Sequence, residues 1–136
     1  MPITFCKRDS PYLHWEYFNS EINQRIRIVP ERGGLITEWL FNDRNILYFD
    51  HQRFSQSDLS VRGGIPILFP ICGDLPDNLL PLSQGDFSLT QHGFARDIEW
   101  NIDSFDEKNG LLLTLGDTSD TYSCYPFSFL LGMRIK

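Results

Sequence analysis

The sequence has no long apolar run. Its longest, Ile65 to Cys72, is broken by Pro66 and Pro70 and falls well short of the ~20 residues a membrane helix needs, so no membrane partner is expected. Cysteine is scarce: Cys6, Cys72 and Cys124 are odd in number and widely spaced, which supports neither a disulfide framework nor a zinc knuckle. Positive charge is scarce as well, with 12 Lys and Arg against 18 Asp and Glu and a net charge of −6. Nucleic acid and anionic lipid, which are drawn by a broad positive field, are therefore not expected partners. The first residues, MPITFCKRDS, lack the apolar stretch of a signal peptide, and the expectation is a reduced, cytoplasmic protein. No GxGxxG or Walker sequence occurs, and His14, His51 and His92 have no metal-ligand spacing. No metal and no cofactor are expected.

What the chain does have is enough apolar material to fold. Hydrophobic residues make up 41%, with 11 Phe, 5 Tyr and 3 Trp, and 136 residues suit a single domain spanning 1–136. Apolar residues alternate, the period of a half-buried strand. Leu13, Trp15 and Tyr17 share one face, which leaves His14 on the other and predicts it to be solvated. Ile26 and Ile28 alternate with Arg25 and Arg27; Pro30 to Gly34 then makes a turn before the run Leu35 to Phe41. Asn42 to Asn45 turns into Ile46 to Phe49, and a hairpin is predicted around Asn109 and Gly110, between Ile98 to Ile102 and Leu111 to Leu115. Phe127 to Ile135 reads as a last strand, and only Gln52 to Val61 offers a helical turn or two. The pattern predicts an all-β, antiparallel sandwich or barrel.

Val61 to Trp100 departs from this grammar, carrying Gly63, Gly64, Gly73, Gly85 and Gly93 with four prolines around Arg62, His92 and Arg96. Irregular backbone held by a scaffold is where binding groups concentrate. In Gln91-His92-Gly93-Phe94-Ala95-Arg96, Phe94 can anchor the loop while Gln91, His92 and Arg96 project the other way. The alternative is an ordinary loop histidine with Arg96 paired to Asp97 or Glu99. Arg62, before Gly63-Gly64, either grips an anion or sugar hydroxyls in bidentate fashion or forms a surface ion pair, and spacing alone favours the ion pair. Cys72 reads as a buried structural thiol, and Asp74 and Asp86 as turn residues.

Taken together, VRGGIPILFPICG (Val61 to Gly73) and QHGFARDIEW (Gln91 to Trp100) resemble the aldose 1-epimerase family, specifically its hexose-6-phosphate 1-epimerase branch. IVPERGGLITEWLFNDRNILYFD (Ile28 to Asp50) is similar to that family's early strand, Gly-Gly turn and strand, and YPFSFLL (Tyr125 to Leu131) to its mid-chain strand. The resemblance runs from about Pro11 onward and implies a galactose mutarotase-like β-sandwich. It implies a sugar or sugar-phosphate ligand bound by Arg62, Gln91 and Arg96, with His92 in the sugar site, and a cofactor-free interconversion of anomers by general acid and base. The family's general-acid histidine and glutamate base follow the YPFSF-like strand, and neither has a counterpart among these residues. The chain is thus expected to match the N-terminal part of the family, to be incomplete at its C-terminal side, and to expose unpaired edges bearing Phe127, Phe129 and Leu131 that invite pairing with another copy. Two other functions remain: a non-catalytic sugar-phosphate binding module, and a half-domain that works only when paired. Asp97 stands where the family often has Asn, and its charge beside Arg96 is expected to weaken phosphate binding.

Overall fold

The computed structural model describes residues 2–136. Two units make up the chain: residues 1–30 with 34–66, and residues 31–33 with 67–136.

The first unit is built on a five-stranded antiparallel sheet in simple sequence order. Its strands are β1 (Ile3–Arg8), β2 (His14–Asn19), β3 (Gln24–Val29), β4 (Leu35–Phe41) and β5 (Arg44–Asn45). Turn chemistry sets the order. Asn23, Asn42 and Asp43 adopt positive φ at the hairpin turns, which short polar side chains tolerate. The predicted run Leu35 to Phe41 is β4 from end to end. Tyr17, Ile26, Ile28, Val29, Leu35 and Ile36 are buried, and Val29, Leu35 and Phe54 form a cluster with Tyr12, Phe49 and Val61 against it. The helical turn anticipated after Gln52 is α1 (His51–Phe54), whose first turn is capped by the Asp50 carboxylate accepting from the Arg53 N–H.

Two expectations need correction here. Ile46 to Phe49 is not a strand: Ile46 donates to the Trp39 carbonyl and Phe49 forms a single bridge with Gly63. His14 is not solvated but 1% exposed, while Leu13 is 40% exposed. The imidazole is accommodated because its Nδ1 lies 2.7 Å from the Tyr12 carbonyl, with the Tyr12 ring edge-on at 5.3 Å. A carbonyl partner two residues away satisfies one ring nitrogen locally, which hydropathy alternation cannot register, while Nε2 is buried without a partner.

The second unit holds a three-stranded antiparallel sheet, β8 (Asn101–Asp106), β9 (Gly110–Gly116) and β10 (Leu130–Ile135), with β9 in the centre. The predicted hairpin at Asn109-Gly110 is the β8–β9 connection. Leu111, Leu113 and Leu115 bury one face of β9, and Trp100 is buried just before β8. Two elements were not foreseen. One is a β6 (Leu79–Leu82), β7 (Gly85–Ser88) ribbon and the other α2 (Ser119–Cys124). The last strand is also shorter than expected. Phe127 to Phe129 lie outside β10, where Phe129 and Asp117 exchange a pair of hydrogen bonds, including Phe129 N–H to the Asp117 carboxylate at 2.9 Å. All three sheets are antiparallel, as the sequence pattern predicts. No helix is long and apolar enough to cross a membrane, among the described residues.

Candidate functional site

The loop Gln91 to Arg96 is fixed from beneath by backbone and aromatic rings. The Phe69 carbonyl accepts from the amides of both Phe94 and Ala95, at 3.0 and 3.1 Å. Gly93 sits at φ 70°, and a Cβ there would lie 2.3 Å from that carbonyl, so only glycine lets the two segments meet. The Phe94 ring packs among Phe69, Tyr125 and Phe129 with centroid distances of 5.8 to 6.3 Å. Phe94 is thus the anchor expected of it. At the far end Trp100, 1% exposed, donates its indole N–H to the Ala95 carbonyl at 2.9 Å. Sequence reading did not single out Trp100 as a support for the loop, although its place four residues after Arg96 was visible.

This foundation leaves three polar side chains in one short stretch. His92, itself at φ 64°, makes two hydrogen bonds to one residue: its amide donates to the Gly73 carbonyl at 2.9 Å, and the Gly73 amide donates to its Nδ1 at 2.8 Å. A nitrogen that accepts from a backbone N–H carries no proton, so the neutral ring holds its proton on Nε2. His92 therefore offers Nε2–H as a donor. Gln91 is exposed, and its side-chain amide lies 3.3 Å from the Asp74 carboxylate. Asp74 is thereby more than a turn residue, a contact that spacing could not disclose. Arg96 is half-buried and donates from Nη2 to the Gln91 carbonyl at 3.3 Å; its Nε is buried with no partner. Neither Asp97 nor Glu99 pairs with it among the described residues, so the ion-pair reading of Arg96 does not hold. A buried guanidinium nitrogen without an acceptor is costly unless a ligand or water supplies one.

Arg62 belongs to the first unit. Gly63 and Gly64 are required by close backbone packing: a Cβ on Gly63, at φ 88°, would lie 2.1 Å from the Tyr48 carbonyl. The Gly64 amide donates to that same carbonyl at 2.8 Å. Ile65 then joins Ile36 through a pair of hydrogen bonds at 2.8 and 3.3 Å. Arg62 is exposed, donating to the Ser60 hydroxyl at 2.9 Å, and has no carboxylate partner among the described residues. The expected surface ion pair is absent there too. Cys72 is exposed rather than buried. Among the described residues no group of three or more His, Cys, Asp or Glu is placed to hold a metal ion.

No family model matches the chain. Among curated proteins it is similar to a Salmonella typhimurium protein named "putative glucose-6-phosphate 1-epimerase", 28% identical over 109 residues, which cover 77% of this chain and 34% of the relative. A Cenchrus ciliaris protein of the same name is 34% identical over 73 residues, 53% of this chain and 19% of its own. The chain thus spans about a third or less of the length of these relatives. Of solved structures, a Synechocystis sp. PCC 6803 protein whose name states no activity is 41% identical with a TM-score of 0.84, covering 91% of this chain and 44% of that one. A galactose mutarotase related enzyme from Lactobacillus acidophilus is 25% identical with a TM-score of 0.64, over 80% of this chain and 34% of its own. A galactose mutarotase-like protein from Lactobacillus casei, 18% identical with a TM-score of 0.66 over 95% of this chain and 38% of its own, shares the fold. The resemblance to aldose 1-epimerases read from the sequence is borne out, and the fold is galactose mutarotase-like.

Proposed function

We propose that this chain carries the sugar-binding part of an aldose 1-epimerase that interconverts the α and β anomers of a hexose 6-phosphate. The observation that supports it most is the Gln91–Arg96 loop, which presents a fixed Nε2–H on His92 and a guanidinium on Arg96 with no carboxylate partner. Gln91 and Arg96 bind the phosphate and hydroxyls by charge-assisted and amide hydrogen bonds. His92 donates from Nε2 to the sugar at or beside its ring oxygen. In the reaction, a base takes the proton of the anomeric hydroxyl while an acid protonates the ring oxygen, so the ring C–O bond breaks and an aldehyde forms. Rotation of the carbonyl carbon and reclosure, with the proton transfers reversed, give the other anomer. No metal or cofactor is needed for that balance.

One observation favours a second reading, a sugar-phosphate binding module without catalysis. The carboxylate bonded within the loop region, Asp74, is engaged by Gln91 rather than free to act as a base. Exchange NMR of glucose 6-phosphate and of glucose separates the two readings. The epimerase reading expects anomer exchange above the buffer rate, faster for the phosphorylated sugar, and slowed in His92→Ala by about tenfold, the worth of one hydrogen bond to the substrate. Exchange at the buffer rate with binding retained supports the module. Exchange at the buffer rate with no binding of either sugar removes both.

A further inference from the structure

The outer face of the five-stranded sheet carries a groove that the proposed function does not use. Strand register lines up Thr4, Phe18, Arg25 and Leu40 in one row across β1 to β4. These four residues, with Arg8, Glu16, Asn23 and Asp43, enclose a groove of about 380 Å³, within the ~300–1,000 Å³ usual for small-molecule sites. Phe18 and Leu40, both half-buried, are the apolar part of a lining that is otherwise polar. The walls are polar and held in place. Arg25 donates from Nε and Nη2 to one oxygen of Glu38, at 3.2 and 3.0 Å, and Arg27 Nε lies 3.1 Å from that oxygen as an ion pair. Arg8 stands 3.8 Å from Glu16. At one end Asn23 and Asp43 sit in neighbouring turns tied together by the Asn42 amide donating to the Asn23 carbonyl at 3.0 Å. The side chains of Asn23 and Asp43 have no hydrogen-bond partner among the described residues.

We infer that this groove is a second carbohydrate site, selective for uncharged sugar. The Phe18 ring offers apolar surface to the C–H face of a pyranose, while the amide donates to or accepts from adjacent hydroxyls, the carboxylates accept from them and the guanidinium groups donate to them. Charge decides against a phosphate. Arg8 and Arg25 are matched by Glu16 and Asp43, so the groove carries no net charge, and Asp43 repels an anion where Arg96 of the other site attracts one.

The test is titration of the whole chain with methyl glucoside, maltose and glucose 6-phosphate, followed by amide and side-chain NMR. Saturable shifts of the Asn23 side-chain amide and the Phe18 ring with the neutral sugars are expected, weakened about tenfold in Asn23→Gly and Asp43→Gly and unchanged in Arg96→Ala. Glycine keeps the positive-φ backbone of both turns while removing the polar group, so folding survives the substitution. Absence of shifts with all three sugars, shifts indifferent to both glycine variants, or stronger shifts with glucose 6-phosphate would overturn the inference. Loss of the response in Arg96→Ala would overturn it too, by assigning the sugar to the other site.

Discussion

The Gly73 amide decides what His92 can do. By donating to Nδ1 it assigns the proton of the neutral ring to Nε2, which leaves that nitrogen a donor. Nitrogen-detected NMR of the histidine rings in neutral buffer is expected to show His92 as the Nε2–H tautomer, with Nδ1 in the range of an unprotonated nitrogen. A Nδ1–H signal would contradict the hydrogen bond. At this scale the motifs are legible: RGG and QHGFAR put forward Arg62, Gln91, His92 and Arg96, and Gln91, His92 and Arg96 share one hydrogen-bonded loop. The sequence was illegible where a contact spans many residues. The Gly73–His92 bonds and the Gln91–Asp74 contact join residues 17 to 19 apart, and no local pattern encodes them. His14 was misread for the opposite reason, since a partner two residues away lets a polar ring be buried at a strand's start.

Elements were legible in proportion to how repetitive they are. Strands β3, β4 and β9 are apolar stretches bounded by Gly, Asn or Pro turns and match the sequence reading, whereas β8 (Asn101–Asp106) begins three residues after the predicted Ile98. The ribbon β6–β7 was not found, because Pro81 inside β6 argues against a strand unless the strand has a free edge. Helix α2 has six residues and no apolar repeat; its signal is a capping box, in which Thr118 Oγ1 accepts from the Thr121 amide at 3.2 Å and Thr121 Oγ1 accepts from the Thr118 amide at 2.8 Å. Thr118→Ala is expected to cost about 0.5–2 kcal/mol in urea unfolding, with Thr118→Ser recovering most of it. No change in midpoint would mean that the cap contributes nothing. The β8–β9 turn carries a pH dependence. Asp106 accepts from the backbone N–H of Asn109 at 2.7 Å and from its side-chain amide at 3.1 Å, and these bonds hold its carboxyl below the ordinary value. A carboxyl lowered by folding stabilises the folded state fully above its unfolded pKa of about 3.9 and loses that stabilisation as pH falls through the lower folded value. Asp106→Asn is therefore expected to flatten the decline of the thermal midpoint below about pH 4, with little effect near neutrality. An unchanged acid limb would contradict it.

At the scale of the molecule, two facts meet. The chain aligns with about a third of a protein named as a glucose-6-phosphate 1-epimerase, and it carries a complete Gln91–Arg96 loop on a rigid aromatic base. Strand β10 lies at a sheet edge with Leu130 78% exposed, the kind of edge that pairs with further strands. The most direct measurement is a titration of the isotope-labelled chain with glucose 6-phosphate against glucose, read at the backbone amides. Saturable shifts centred on Gln91 to Arg96, larger for the phosphorylated sugar and abolished by Arg96→Ala, are the expected result; silence in that loop at saturating glucose 6-phosphate would contradict the account.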